Sequence, residues 1–192
     1  MRIGFIGLGN IGGKLANSLQ RNGFDLIVRD LDRKIATPFV DRGAQWAESP
    51  AEITRQSDMV ITCLPNPSAS AAVMEAENGV LSEMTNDKIW AEMSTTDEHE
   101  VKRLGKLVVD AGGEAIDCPV SGGCHRAATG NISIFVGTER HTFDRAFPVI
   151  SAMGRQILHT GPLGSEGIEV DYTYHVARPL TAQLTKKLGK CR

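Results

Sequence analysis

The hexapeptide Gly7-Leu8-Gly9-Asn10-Ile11-Gly12 comes directly after the apolar run Ile3-Gly4-Phe5-Ile6. It leads into a segment with Ile11, Leu15 and Leu19 four apart and Ala16 beside them. Three glycines so placed constrain the fold more than any other feature, because the chain must turn tightly out of a strand and enter a helix packed close against it. Gly7 allows the turn, Gly9 leaves the backbone open to close approach, and Gly12 lets helix and strand meet. Asn22-Gly23 ends the helix, and Asp25-Leu26-Ile27-Val28 then reads as a second buried strand, closing a strand-helix-strand unit.

The alternation continues. A helix is expected over Asp32 to Val40, a short strand over Ala44 to Trp46, a helix from Ser49-Pro50, and a strand over Asp58 to Leu64 stopped by Pro65. Further strands are expected at Lys88 to Met93, Glu114 to Cys118, Ile132 to Val136 and Gln156 to His159. The helix after Thr96 carries a D-x-x-E cap in Asp97 and Glu100, apolar Val101, Leu104 and Val108, and a stop at Gly112-Gly113. The helix after Thr138 is expected to turn Phe143, Phe147 and Ile150 to one packed face and to end at Gly154. This order predicts an α/β, Rossmann-like, doubly wound and mostly parallel sheet over residues 1–164. Residues 165–192 have no such rhythm and read as a divergent C-terminal tail with five basic and three acidic residues.

Composition narrows the partners. A chain of 192 residues with net charge -2, 41% hydrophobic and 23% charged residues, is balanced like a soluble globular protein. Without clustered basic charge a nucleic-acid partner is not expected, and without an apolar run near 20 residues neither is a membrane span. The first strand begins at residue 3, so no leader peptide is expected ahead of it. Cys63, Cys118, Cys124 and Cys191 lack CxxC pairing and read as free thiols, which points to the cytoplasm. His99, His125, His141, His159 and His175 have no metal-ligand spacing, and no metal is expected.

The glycine turn also carries chemistry. Unpaired amides and the positive end of the helix dipole make it a seat for the pyrophosphate of a dinucleotide. Asp30, at the end of the second strand and 23 residues after Gly7, is placed to accept hydrogen bonds from the adenosine ribose hydroxyls. A carboxylate there repels a 2'-phosphate and favours NAD, while Arg29 and Arg33 beside it leave NADP open. The competing readings are a ligand-free glycine turn and a helix-capping aspartate. Ser121 with the amides of Gly122 and Gly123 forms a compact set of donors suited to a carboxylate, or a plain turn between strand and helix.

Residues 5–19, FIGLGNIGGKLANSL, are similar to the N-terminal signature of the β-hydroxyacid dehydrogenases, the family of 3-hydroxyisobutyrate dehydrogenase and tartronate semialdehyde reductase. Asp117-Cys118-Pro119-Val120-Ser121-Gly122-Gly123 resembles the family's substrate-binding D-x-P-V-S-G-G, and Leu64-Pro65 and Ser94-Thr95 resemble its cofactor loops. The resemblance covers roughly residues 1 to 165. It implies hydride transfer between a nicotinamide and a small β-hydroxyacid, with Gly7, Leu8, Gly9, Asn10, Ile11, Gly12, Asp30, Leu64, Pro65 and Thr95 at the cofactor and Ser121, Gly122 and Gly123 at the substrate.

The family's catalytic lysine, which follows the turn Gly161 to Ser165, has no counterpart, since Val170 stands in its place. Only 28 residues follow Gly164, too few for the family's all-helical C-terminal domain, and the chain reads as truncated or frame-altered, or as a natural single-domain relative. Asp171 or Tyr172 is the nearest substitute proton donor by analogy with imine reductases. The alternative is a non-catalytic dinucleotide-binding fragment. A homo-oligomer and the identity of the hydroxyacid stay open.

Overall fold

The structure is a computed structural model, and it describes residues 1–94 and 97–165. β1 (Ile3–Ile6), β2 (Leu26–Arg29), β3 (Gln45–Trp46), β4 (Met59–Thr62), β5 (Ile89–Glu92) and β6 (Glu114–Asp117) run parallel in the order β3-β2-β1-β4-β5-β6. The chain therefore winds one way from β1 to β3 and the other way from β4 to β6, with the reversal between β1 and β4. β8 (Ile132–Gly137) pairs antiparallel with β6 and with β7 (Val120–Ser121), and β9 (Gly154–Gly161) lies parallel to β8. The described sheet has nine strands and is mostly parallel.

Strand residues alternate between two cores. Ile3, Phe5, Val28, Met59 and Ile61 face a layer with Leu15 and Leu19 of α1 (Gly12–Arg21), Phe39 of α2 (Arg33–Val40) and Ile150 of α7 (Arg140–Met153). Ile6, Ile27, Val60 and Trp90 face Ile53 of α3 (Pro50–Gln56), Met74 of α4 (Pro67–Glu75) and Leu104 of α5 (Glu98–Asp110). Coverage of both faces is why successive residues of these strands are buried and mostly apolar rather than alternating with polar ones. Among the described residues, no helix is long and apolar enough to cross a membrane.

Two sequence expectations need adjustment. Phe147 is 44% exposed, whereas Phe143 and Ile150 are buried. At about 100° per residue the buried stripe of α7 centres on Ala146, which leaves Phe147 at its edge, touching Phe143 at 5.6 Å between centroids. The strand expected over Asp58 to Leu64 ends at Thr62, and Cys63 is only partly buried. The turn after Ser121 runs straight into a short helix, α6 (Gly123–Ala128).

The sheet also buries a carboxyl. Glu92, last in β5, is fully inaccessible, and its Oε1 accepts hydrogen bonds from the Ser94 amide at 2.9 Å and the Ser94 hydroxyl. Burial pushes this carboxyl above the usual carboxylate range, against the opposing pull of those bonds. A raised folded-state pKa means the folded protein holds a proton that the unfolded chain releases. Stability is then undiminished below the unfolded pKa and falls as pH rises toward the folded one.

Two outcomes follow from this packing. Phe143→Ala should cost about 3–5 kcal/mol in urea denaturation, and Phe147→Ala under about 1 kcal/mol, whereas a shared packed face would make the two costs alike. Glu92→Gln should gain stability relative to wild type by up to about 1.4 kcal/mol per pH unit above the usual carboxylate range. Parallel denaturation curves at pH 5 and pH 8, with an unchanged difference between the two proteins, would contradict the burial effect.

Candidate functional site

The carboxyl ends of β1, β2 and β4 open into a cleft of about 660 Å³. Gly7, Gly9, Asn10, Ile11 and Gly12 form one wall, Asp30 and Leu31 the lip beyond β2, and Cys63, Leu64 and Pro65 the side beyond β4. Leu8 does not line it. That side chain is buried in the core, and only the Leu8 amide takes part, donating to Asp30 Oδ2 at 2.7 Å.

The glycines differ in what they do. Gly7 has φ +95°, and a Cβ there would collide with the Cys63 carbonyl. A Cβ at Gly12 would collide with the Gly7 carbonyl. Both are therefore closed against side chains by backbone, which fixes α1 on β1 and β4. Gly9 is the opposite case: it is exposed, with nothing within 4 Å of a Cβ built on it. The space beside Gly9 belongs to the cleft.

The amino end of α1 is left unfinished. α2, α3, α4 and α5 are capped by the side chains of Asp32, Ser49, Asn66 and Asp97. α1 has no side-chain cap, because Ile11 occupies the capping position. Among the described residues, the amides of Gly9, Asn10 and Ile11 have no protein acceptor. Free amides at a positive helix end, over open space, suit a phosphate-sized anion.

Asp30 is held rather than free. Besides the Leu8 amide, it accepts from the Asp32 amide at 3.2 Å through Oδ1. Its flanking cations are engaged elsewhere. Arg29 donates to the Ala47 and Glu48 carbonyls, Arg33 pairs with Glu48 at 3.0 Å, and both lie over the Trp46 ring. The Arg33 pair is exposed on both sides and is held only weakly.

Across the cleft, the Leu64 amide donates to Ser94 Oγ at 2.7 Å, which joins the β4 loop to the end of β5. The Cys63 thiol is pushed up to about 12, chiefly by burial and secondarily by the charge of Glu92. It is a neutral thiol near neutral pH and no nucleophile. Thr95, expected at the cofactor, lies outside the described residues, as do Val170, Asp171 and Tyr172.

The structure does not bring every expected residue into one cavity. Ser121 closes β7 and Gly122 and Gly123 follow it at the same end of the sheet, with φ +129° at Gly122 and +74° at Gly123, but they are not among the residues lining the cleft. Nearby Cys124 and His125 are exposed on α6. Several cleft residues were missed from the sequence, Leu31 among them. Leu31 is fully exposed at the lip, and its signal was a lone apolar residue inside the charged run Asp30 to Arg33. Ser94, which resembles part of a cofactor loop, does not line the cleft and instead accepts the Leu64 amide through its hydroxyl.

The family described as the NAD binding domain of 6-phosphogluconate dehydrogenase matches residues 2–161. The mitochondrial 3-hydroxyisobutyrate dehydrogenase of Rattus norvegicus is 36% identical over 163 residues, 85% of this chain and 49% of that protein. The 2-(hydroxymethyl)glutarate dehydrogenase of Eubacterium barkeri is 33% identical over 86% of this chain and 55% of its own length. Among solved structures, the 3-hydroxyisobutyrate dehydrogenase of Mycobacterium tuberculosis with L-serine superposes with a TM-score of 0.80 at 28% identity, covering 86% of this chain and 56% of that one. The chain thus spans about half the length of the curated relatives it matches. With the glycine turn, the strand order and these relatives in agreement, the chain belongs to the family of the 6-phosphogluconate dehydrogenase NAD-binding domain, alongside the 3-hydroxyisobutyrate dehydrogenases.

Proposed function

We propose that the chain is the coenzyme-binding part of an NAD-dependent oxidoreductase acting on a small β-hydroxyacid, with residues 1–164 as the binding domain and 165–192 as a tail of divergent sequence. The observation that carries this reading is the uncapped amino end of α1 facing open space at Gly9, with Asp30 on the same cleft. The amides of Gly9, Asn10 and Ile11 hold the pyrophosphate. Asp30 receives the adenosine ribose hydroxyls through lone pairs not used by Leu8 and Asp32, and the exposed Leu31 offers an apolar surface to the adenine. Leu64 and Pro65 bound the nicotinamide half from the β4 side, the half to which the resemblance also assigns Thr95.

The nicotinamide supplies or accepts the hydride when bound. What this chain adds is placement and exclusion of water at the open end of the sheet. Ser121 and the amides of Gly122 and Gly123 orient the substrate carboxylate. NAD is favoured over NADP because Asp30, held by the Leu8 and Asp32 amides, sets a negative charge at the ribose site, while Arg29 is bound to the Ala47 and Glu48 carbonyls and Arg33 pairs weakly with Glu48. A cytoplasmic site of action is kept from the cysteine pattern, although the rat relative is named mitochondrial.

A second reading, a dinucleotide-binding module without turnover, is favoured by Val170 standing where the resemblance calls for a lysine. Titration with NADH, followed by energy transfer from Trp46 and Trp90, and an assay with 3-hydroxyisobutyrate separate the two. Saturable binding with turnover supports the first reading, and binding alone the second. A folded chain that binds neither NADH nor NADPH would end both.

Two substitutions locate the coenzyme. Gly9→Ala should leave stability within about 1 kcal/mol, because its Cβ meets nothing, while weakening NADH binding roughly tenfold or more. Asp30→Asn should weaken NADH roughly tenfold and narrow its margin over NADPH, the scale of one charge-assisted hydrogen bond. An unchanged NADH-to-NADPH ratio in that variant removes Asp30 from the ribose site.

A further inference from the structure

The segment Cys63 to Asn66 sits directly on the glycine turn. The Cys63 carbonyl is the group that would meet a Cβ at Gly7, and the Cys63 amide donates to the Ile6 carbonyl at 3.0 Å. Beyond that point the segment has few fixings. Pro65 has no amide proton, and Asn66 already caps α4 through the Ala69 amide. The Leu64 amide goes to Ser94 Oγ. Ser94 in turn gives both its hydroxyl and its own amide to Glu92 Oε1.

Glu92 is the odd member of this chain of bonds, since a carboxyl of zero accessibility at the end of a central strand is costly to keep. Thr62 on β4 and Ser70 on α4 bring further hydroxyls to it. Ser70 Oγ and Glu92 Oε2 nevertheless lack a partner in full hydrogen-bond alignment. Thr62 Oγ1 also receives the Trp90 indole at 2.9 Å. A packed aliphatic side chain would fill the same place at lower cost. What it would not do is hold the Ser94 hydroxyl in the one rotamer that receives the Leu64 amide.

We propose that Glu92 is a positioning residue for coenzyme binding: through Ser94 it fixes the Leu64 segment against the glycine turn and so sets the width of the cleft. The proposal rests on the reading of the cleft as a nicotinamide-coenzyme site. Loss of the anchor frees Leu64 to move, carrying the Cys63 carbonyl off or onto Gly7, and every distance across the cleft changes with it.

The test uses the 192-residue chain and its Ser94→Ala, Glu92→Leu and Glu92→Gln variants, with NADH as probe. Two quantities are measured: amide hydrogen exchange at Leu64 in the free protein, and the Kd for NADH. Ser94→Ala and Glu92→Leu should speed exchange at Leu64 and weaken NADH, each roughly tenfold, at temperatures where both stay folded. Glu92→Gln keeps an acceptor for Ser94 and should stay within about threefold of wild type in both. A merely structural role would lower Tm in Ser94→Ala and Glu92→Leu without moving Kd. Should Glu92→Leu not fold, Ser94→Ala against Glu92→Gln still decides. Wild-type exchange and Kd in folded Ser94→Ala, or a Gln variant as weak as Ser94→Ala, overturns the proposal. If wild type itself binds neither coenzyme, the coenzyme reading fails, and the exchange data alone show whether Glu92 and Ser94 hold the segment.

Discussion

The architecture depends on how closely α1 approaches the ends of β1 and β4. Gly12 lies against the Gly7 carbonyl and Gly7 against the Cys63 carbonyl, so three pieces of backbone meet where no side chain fits. Main chain at such range fixes the helix axis over the point where the strand order reverses. It also aims the uncapped amides of α1 into the crevice that the reversal creates. The cleft is thus a consequence of the packing, and its chemistry comes from backbone as much as from side chains.

The same sheet shows how a covered, two-sided core accommodates polarity. Successive residues of β4 and β5 serve opposite layers, so Trp90 and Glu92 share a face with Val60 and Thr62. Apolar contact dominates in mid-sheet, and hydroxyls and a carboxyl take over at the carboxyl end, where Thr62, Ser94 and Ser70 surround Glu92. This gradient from oily middle to polar rim lets the strand ends carry function without weakening the core beneath them.

Much of this was readable because the signals are local. β1, β2 and β4 are largely apolar runs, and α5 begins with the Asp97 cap, which accepts the His99 and Glu100 amides. α4 was missed because PSASAAVME buries little beyond Ser70 and Met74, although Asn66-Pro67 offered a helix start. The antiparallel direction of β8 was not legible, since pairing direction depends on partners far along the chain. Its alternating burial, with Ser133 and Phe135 less covered than Ile132, Ile134 and Val136, reflects thinner coverage on one side. At the site, the glycine spacing and Asp30 were legible as a motif. The separation of Ser121 to Gly123 from the cleft was not, because spacing assigns residues to a sheet edge but not to a shared cavity.

Asp30 is already tethered by two backbone amides in the free chain. Its negative field therefore stands in one direction at all times, and no rotamer search precedes an encounter. On the proposed reading, discrimination between the two coenzymes begins at approach: a phosphorylated ribose meets standing repulsion before any contact forms, so selectivity would register in arrival rates as well as in lifetimes of the bound state.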